Sequence, residues 1–346
     1  MRVFFLCYTG SMQICYLLAF PDPDENTYRP AEQIRGLKDA PYFQPIDIDL
    51  VPLGEETLLI EGYSVSVTRQ RFDSQVQMVE SRFELRDPFA ASVLPDRSRI
   101  QSALQSRYIP EIYCQNGLFE EYTILLVQEA KPSPDKWIEK NNLAIANFIR
   151  SQREVFDREE VNEILISRAR YSAGELTLVD WEGAVIIAPN GDFASDIALL
   201  KIGNYQLLRY RMLDQSIEEM LDKINERFFQ NKGRPRPTRG LIRQIMQHRL
   251  EVMLNFERAE QNLLLIGDWY TAKLYEVIQN ELYLKDWKDS VRTKLDNLET
   301  IVETIQENFS LSWEALMDRL QLLGWVLLLV GYLYLYLLDA GWVKLP

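Results

Sequence analysis

The longest uncharged stretch of the chain lies near its C-terminus, between Leu322 and Leu338. Extended to residues 320–343, it reaches the roughly 20 residues that a helix needs to cross a bilayer. A buried core helix is the alternative, but such a helix normally carries a polar stripe, and this stretch has none. We therefore predict one transmembrane helix over 320–343. Its anchoring side chains are Leu322, Trp325, Leu329, Tyr332, Tyr336 and Leu338.

Alternation of apolar and polar residues predicts a β-rich domain over residues 1–130, as in YSVSVTR from Tyr63. The predicted strands are Arg2–Tyr8, Ile14–Phe20, Ile46–Val51, Thr57–Ile60, Tyr63–Thr68, Val79–Leu85 and Tyr122–Gln128. A short helix is predicted over Arg99–Arg107. The first twenty residues also resemble a signal peptide. Polar residues interrupt their apolar stretch and no A-x-A cleavage site follows, which favours the two strands.

Residues 131–231 predict a mixed α/β domain. Ser133 and Pro134 begin a helix that extends to Ser151. Asp157 and Glu160 form a capping box for a second helix, which extends to about Ala169. The remaining predicted elements are strands over Leu176–Asp180 and Ala184–Ala188 and a long helix over Ala194–Phe229.

Two glycines and two prolines within residues 232–240 break any helix, so this segment is predicted to be a linker. Residues 241–319 then predict a helical hairpin, with helices over Leu241–Glu281 and from Asp286 onward. The second helix has apolar residues at spacings of three and four, which is typical of a coiled-coil seam. The seam consists of Trp287, Val291, Leu295, Leu298, Val302, Ile305 and Phe309. Either the preceding helix or a second copy of the protein can be its partner.

Composition narrows the possible functions. The 346-residue chain has a formal net charge of −13, which argues against broad nucleic-acid binding because phosphates would be repelled. Cys7, Cys15 and Cys114 form no C-x-x-C motif and favour a reducing compartment. The single histidine, His248, nearly excludes histidine-based zinc sites and would have to serve any Ser-His-Asp site. Glycine-rich phosphate-binding motifs are absent from the sequence. We expect no cofactor.

A basic cluster stands out in this acidic chain. It consists of Lys232, Arg234, Arg236, Arg239 and Arg243. Anionic lipid or RNA could bind such a cluster, but charge runs usually face solvent, which favours a solvated linker. Nucleic acid is therefore expected as a partner only through residues 232–243.

Two carboxylates near predicted strand ends, Asp180 and Asp192, could hold a divalent metal. The alternative is turn chemistry, in which Asp192 caps the following helix. We favour turn chemistry and predict no catalytic, cofactor-binding or metal-binding residue.

The middle of the chain also carries a pattern that resembles known families. It combines a D-W pair, a short apolar strand and a helix bearing N-x-Q-L-L-x-x-R-x-x-D. The residues concerned are Asp180, Trp181, Asn204, Gln206, Leu207, Leu208, Arg209 or Arg211, and Asp214. With IGDWYTAKLYEV and KDWKDSVRTKLDNLETI further on, this resembles an uncharacterised family of bacterial membrane proteins. Lys201 and Gly203 depart from the pattern, which has an acidic residue and an alanine there.

The order of the parts is similar to that of the "required for meiotic nuclear division" family. Some mitochondrial members of that family are implicated in supporting organelle translation from the inner membrane. Neither resemblance brings established catalytic residues.

These patterns predict an α+β protein with a β-rich N-terminal domain, a mixed α/β middle and a C-terminal helical hairpin, or coiled-coil stalk, that runs into one transmembrane helix. We expect a membrane-anchored scaffold or tether in the bacterial inner membrane, with most of the chain in the cytoplasm. Its expected partners are the lipid bilayer and either further copies of itself or another protein. The alternatives are a carboxylate- or metal-dependent enzyme using Asp180 and Asp192, and a membrane transport component.

Overall fold

The structure is a computed structural model, and the part of the chain that it describes contains nine strands. In chain order they are β1 (Met12–Pro21), β2 (Glu32–Gln33), β3 (Asp49–Ile60), β4 (Tyr63–Phe72), β5 (Val76–Glu84), β6 (Glu120–Val127), β7 (Arg168–Ala169), β8 (Leu176–Val179) and β9 (Gly183–Ile187). They form one sheet in the order β2-β3-β4-β5-β1-β6-β9-β8-β7. β6 and β9 are parallel, and the other neighbouring pairs are antiparallel.

The chain divides into two units. Unit 1 combines Met1–Gln215 with Leu254–Val291, and unit 2 combines Ser216–Met253 with Arg292–Pro346. Within them the structure describes residues 12–22, 32–33, 48–152, 156–226, 243, 246–247, 250, 253–254 and 269–339. At residues 32–33, 225, 302, 305–316, 334 and 337–339 it describes the backbone alone.

The helices fall largely where apolar residues recur at helical spacing. They are α1 (Leu94–Tyr108), α2 (Glu111–Asn116), α3 (Pro134–Lys140), α4 (Asn142–Ile149), α5 (Arg158–Ile164), α6 (Ala194–Asn225), α7 (Trp269–Glu281) and α8 (Leu284–Asp339). The predicted capping box at Asp157 and Glu160 is confirmed. The helix predicted over residues 135–151 is instead two helices, because the Asn141 side chain bonds to the Trp137 carbonyl at the break.

Strand β1 is buried along nearly its whole length, which explains its central place in the sheet. One face of the sheet packs against the helices around α1, with Ile100 and Trp137 among the buried residues of that core. The strands predicted at Ile46–Val51 and Thr57–Ile60 belong to one strand, β3, which continues through a bulge between Pro52 and Gly54. The predicted strand Arg2–Tyr8 and its signal-peptide alternative lie outside the described residues.

Helix α6 contacts the other face of the sheet, and α7 packs on α6. A Cβ atom at Gly203 would lie closer than 3.0 Å to Ile278 Cγ2 and 3.1 Å from Leu282 Cδ1. Gly203, which departs from the expected family pattern, is therefore a point of close approach between α6 and α7. Residues 194–210 of α6 are almost all buried.

The transmembrane prediction is wrong. No helix in the described part of the chain combines the length and apolarity that crossing a membrane requires. The predicted helix over 320–343 is thus corrected, together with the tail anchor, the single-pass inner-membrane location and the anchoring role of residues such as Trp325.

Replacing Gly203 by alanine should destabilise unit 1. Overpacking costs about 1–3 kcal/mol, and alanine returns about 0.5–1 kcal/mol through its better helix propensity. We expect a net loss of about 1 kcal/mol in urea unfolding. The double variant Gly203→Ala/Ile278→Ala should lose less stability than the sum of the two single variants, because the added methyl group then has space. Strict additivity would mean that this close contact does not limit the packing.

Candidate functional site

Helix α6 carries a lysine into the layer between itself and the sheet. Lys201 forms an ion pair with Glu80 of β5 and donates to the Gln70 side chain of β4 at 3.1 Å. The Arg82 Nε donates to Glu80 at 2.6 Å. Burial alone would raise the pKa of Glu80, but Lys201 and Arg82 outweigh it and hold the pKa below its usual range. The cluster is thus a charged bridge between α6 and two strands.

One turn further along α6, Tyr205 donates to the Asp73 side chain at 2.5 Å, and its ring lies 5.5 Å from that of Phe72. Asp73 has a φ of 47°, in the turn between β4 and β5. Burial raises the pKa of Asp73 above its usual range, and the hydrogen bond from the Tyr205 hydroxyl offsets only part of this increase. These contacts fix the β4–β5 turn against α6.

The family-like residues of α6 also bind other parts of unit 1. Arg211 pairs with Glu120 and donates to the carbonyl oxygens of Gly117 and Phe119 at 2.5 and 3.1 Å. Gln206 accepts a hydrogen bond from Tyr275 of α7. The Asn204 side chain donates to the Leu200 carbonyl at 2.8 Å, within α6 itself. The resemblance therefore includes residues that hold α6 in its place.

The D-W pair lies in the β8–β9 turn. Arg150, which follows α4, donates to Asp180 at 3.0 Å and lies 3.6 Å from Glu182. The buried Tyr122 hydroxyl contacts the Asp180 and Gly183 carbonyl oxygens at 2.7 and 2.9 Å. Burial raises the pKa of Asp180 above its usual range, and the positive charge of Arg150 offsets only part of this increase. Its side chain thus anchors the turn to the end of α4.

Asp192 lies at the other end of β9, where its side chain accepts from the Ala194 amide at 3.3 Å as α6 begins. Strand β9 has five residues and spans roughly 16 Å at about 3.3 Å per residue, with Asp180 before its start and Asp192 beyond its end. The structure therefore does not bring Asp180 and Asp192 together around one ion. Among the described residues, no group of three or more His, Cys, Asp or Glu side chains could hold a metal.

The tryptophan of the pair makes a different contact. Its ring lies 5.7 Å from that of Tyr283, which has a φ of 49° in the turn between α7 and α8. At the other end of α7, Tyr270 donates to Asp196 of α6 at 2.8 Å. Tyr283 and Tyr270 thus fix the two ends of α7 to the rest of unit 1.

Cys15 is the buried nucleophile nearest to the charged bridge. Burial, strengthened by Glu80, raises the pKa of its thiol, which keeps it protonated and unreactive at neutral pH.

In unit 2, Leu298 of the predicted seam is fully buried and clusters with Met220 and Ile224 of α6. Lys294 pairs with Glu218 at 2.7 Å. The intrachain partner of the seam at this point is therefore α6. Val291 and Leu295 are also buried, and Trp287 is half-buried. The side chains of Val302, Ile305 and Phe309 lie outside the described residues.

The basic cluster falls mostly outside the described part of the chain, which includes only the exposed Arg243 of its five residues. His248 and Cys7 also lie outside it.

The C-terminal third of α8 presents large apolar side chains to solvent. Those more than half exposed are Met317, Leu320, Leu322, Leu323, Trp325, Val326, Leu327, Leu328, Leu329, Val330, Tyr332, Leu333, Leu335 and Tyr336. We call this set the apolar end of α8. It includes five of the six residues predicted as membrane anchors, and the side chain of the sixth, Leu338, is not described.

Comparisons with known proteins give a partial match. A family model described as "Uncharacterized protein MJ0711, N-terminal domain" matches residues 28–194. "Uncharacterized protein MJ0711" of Methanocaldococcus jannaschii is 26% identical over 198 residues, which are 57% of this chain. The match spans 61% of that relative's length. No solved structure matches the chain. The family match ends as α6 begins, so it includes the D-W turn and most of the sheet.

Replacing Lys201 by methionine should destabilise unit 1 by about 3 kcal/mol at pH 7, because Glu80 keeps its buried charge and loses one of two cationic partners. In the native protein the lowered pKa of Glu80 contributes stability above the unfolded pKa of about 4.3, and this stability is lost as pH falls through the folded pKa. In the variant, burial should raise that pKa. The difference in unfolding free energy between the native protein and Lys201→Met, measured by urea unfolding, should therefore become smaller as pH falls from 7 toward 5.

The double variant Lys201→Met/Glu80→Gln is the control. Its stability difference from the native protein should not narrow over this pH range, because the buried carboxylate is absent. An equal loss for Lys201→Met at every pH would mean that the lysine contributes packing alone.

Proposed function

We propose that the protein is a non-catalytic scaffold that assembles with other protein through the apolar end of α8. The observation that carries this proposal is the exposure of fourteen large apolar side chains between Met317 and Tyr336. Tyr332 is 78% exposed and Leu328 is 70% exposed. Solvent-facing apolar surface of this extent marks an interaction site.

The size of the surface supports this function. Full burial of a leucine contributes about 1.5–3 kcal/mol at about 25 cal/mol per Å², which corresponds to roughly 60–120 Å² for each side chain. The apolar end therefore exposes on the order of 800 Å² or more. The largest apolar patch of a typical monomer covers about 300–600 Å², and a standard interface buries about 800 Å² on each partner.

The distribution of polar groups supports a scaffold rather than an enzyme. Lys201, Arg211 and Asp180 bind side chains or backbone of neighbouring elements, and Asp192 caps α6. These contacts hold α6 and its neighbours in unit 1, and the two carboxylates named in the enzyme alternative lie beyond opposite ends of β9.

The experiment replaces three leucines of the apolar end, Leu323, Leu327 and Leu328, by serine in the full chain. Because their side chains are exposed, the monomer should keep its stability, whereas every protein held by this surface should be lost. Light scattering of the purified chain and mass spectrometry of captured proteins measure the result. Leu59→Ser is the matched control, since Leu59 is 79% exposed on β3 in unit 1.

Two outcomes decide the proposal. Loss of associated protein in the triple variant, with full retention in Leu59→Ser, supports it. If the triple variant keeps the mass and the captured proteins of the native chain, the apolar end is not the assembly surface.

A further inference from the structure

We propose that the occupant of the apolar end is the same segment of a second copy, packed antiparallel, with Gly324 of one copy opposite Gly331 of the other. This inference rests on the proposed scaffold function and names its partner. It follows from three properties of α8: the amount of exposed surface, the charge that precedes it and the position of its two glycines.

A second copy matches the surface in chemistry. The stretch from Leu320 to Leu338 contains no charged residue, so it offers no ion pairs to a charged partner. It offers uncharged leucine, valine and aromatic side chains, which an identical surface complements. In a twofold assembly the same patch serves both copies, so this single segment supplies both sides of the interface.

Charge selects the antiparallel direction. Five carboxylates precede the apolar end along α8, and Arg319 is the only cation among residues 299–319. The carboxylates belong to Glu299, Glu303, Glu307, Glu314 and Asp318. Parallel copies would bring like charges alongside one another, which is costly. Antiparallel copies that overlap only through their apolar ends place the two acidic segments at opposite ends of the pair.

The glycines select the register. Gly324 and Gly331 are seven residues apart, about two helical turns, so both lie on one face of α8. A Cβ atom at either position would meet nothing within 4 Å. Their missing side chains let a second helix approach at two points. Antiparallel pairing about the midpoint of the two glycines brings each glycine opposite the other, and it sets Leu327 opposite Leu328 and Leu320 opposite Leu335.

This register predicts cross-links that a parallel pair would not form. The full chain first receives Cys7→Ser, Cys15→Ala and Cys114→Ser, and its circular dichroism spectrum must match that of the native protein. Single cysteines are then introduced as Leu328→Cys, Leu320→Cys and Leu335→Cys. The Leu320→Cys and Leu335→Cys chains are also co-expressed with different tags, and a short bismaleimide reagent is added to each sample.

We expect Leu328→Cys to cross-link with itself, because position 328 lies near the twofold axis. Leu320→Cys and Leu335→Cys alone should not cross-link, since identical positions are then about 22 Å apart along the helices. Co-expressed, these two chains should form the mixed dimer. Cross-linking of Leu320→Cys with itself would establish parallel copies and overturn the proposal. Equal cross-linking of every variant would establish non-specific association and would overturn it too.

The two proposals fail in different ways. In one outcome, light scattering gives the native chain the mass of one copy while the triple serine variant still loses the captured proteins. That result would overturn the second copy as occupant and leave the proposed scaffold function standing. Retention of all associations in the triple variant would overturn both.

Discussion

Burial of α6 on two sides is the constraint on which unit 1 depends. The sheet covers one side of the helix and α7 covers another, so a polar side chain on either side must find its partner in the layer that it faces. Lys201 finds Glu80 and Gln70 in the sheet, and Gln206 finds Tyr275 in α7. Where α7 approaches most closely, Gly203 carries no side chain at all. The residue type at each of these positions of α6 thus fits the layer, sheet or α7, that the position faces.

This arrangement separates the two parts of the chain by role. The charged side chains of unit 1 described above, including Asp180 and Arg211, form hydrogen bonds with neighbouring elements of the same unit. The exposed apolar side chains are concentrated instead on α8 in unit 2. The buried polar contacts of unit 1 and the exposed apolar side chains of α8 therefore lie in different segments of the chain.

Local signals in the sequence predicted most of the described elements. Alternation located β4, and the capping box at Asp157 located the start of α5. The contacts of Lys201 were not predictable, because they join residues that are more than a hundred positions apart and no local pattern encodes such a pairing. One signal did point there: a lysine and a glycine stood where the family-like pattern has an acidic residue and an alanine.

The largest error came from the apolar end of α8. Its lack of charge suggested a bilayer span, whereas no described helix has the length and apolarity for one. The predicted seam left its partner open between the preceding helix and a second copy, and at Leu298 the structure shows residues of α6. A periodic pattern shows that a helix has an apolar face and does not say what covers it.

The discontinuity of unit 1 has a consequence for the order of synthesis. The α6 surface around Gly203 is made well before Ile278, the residue that covers it. At about 5–20 residues per second, roughly 4–15 s separate the two positions during translation. During that interval the face of α6 around Gly203 lacks α7, the helix that covers it in the folded protein. The native packing of this face of α6 therefore has to wait until Ile278 has been made.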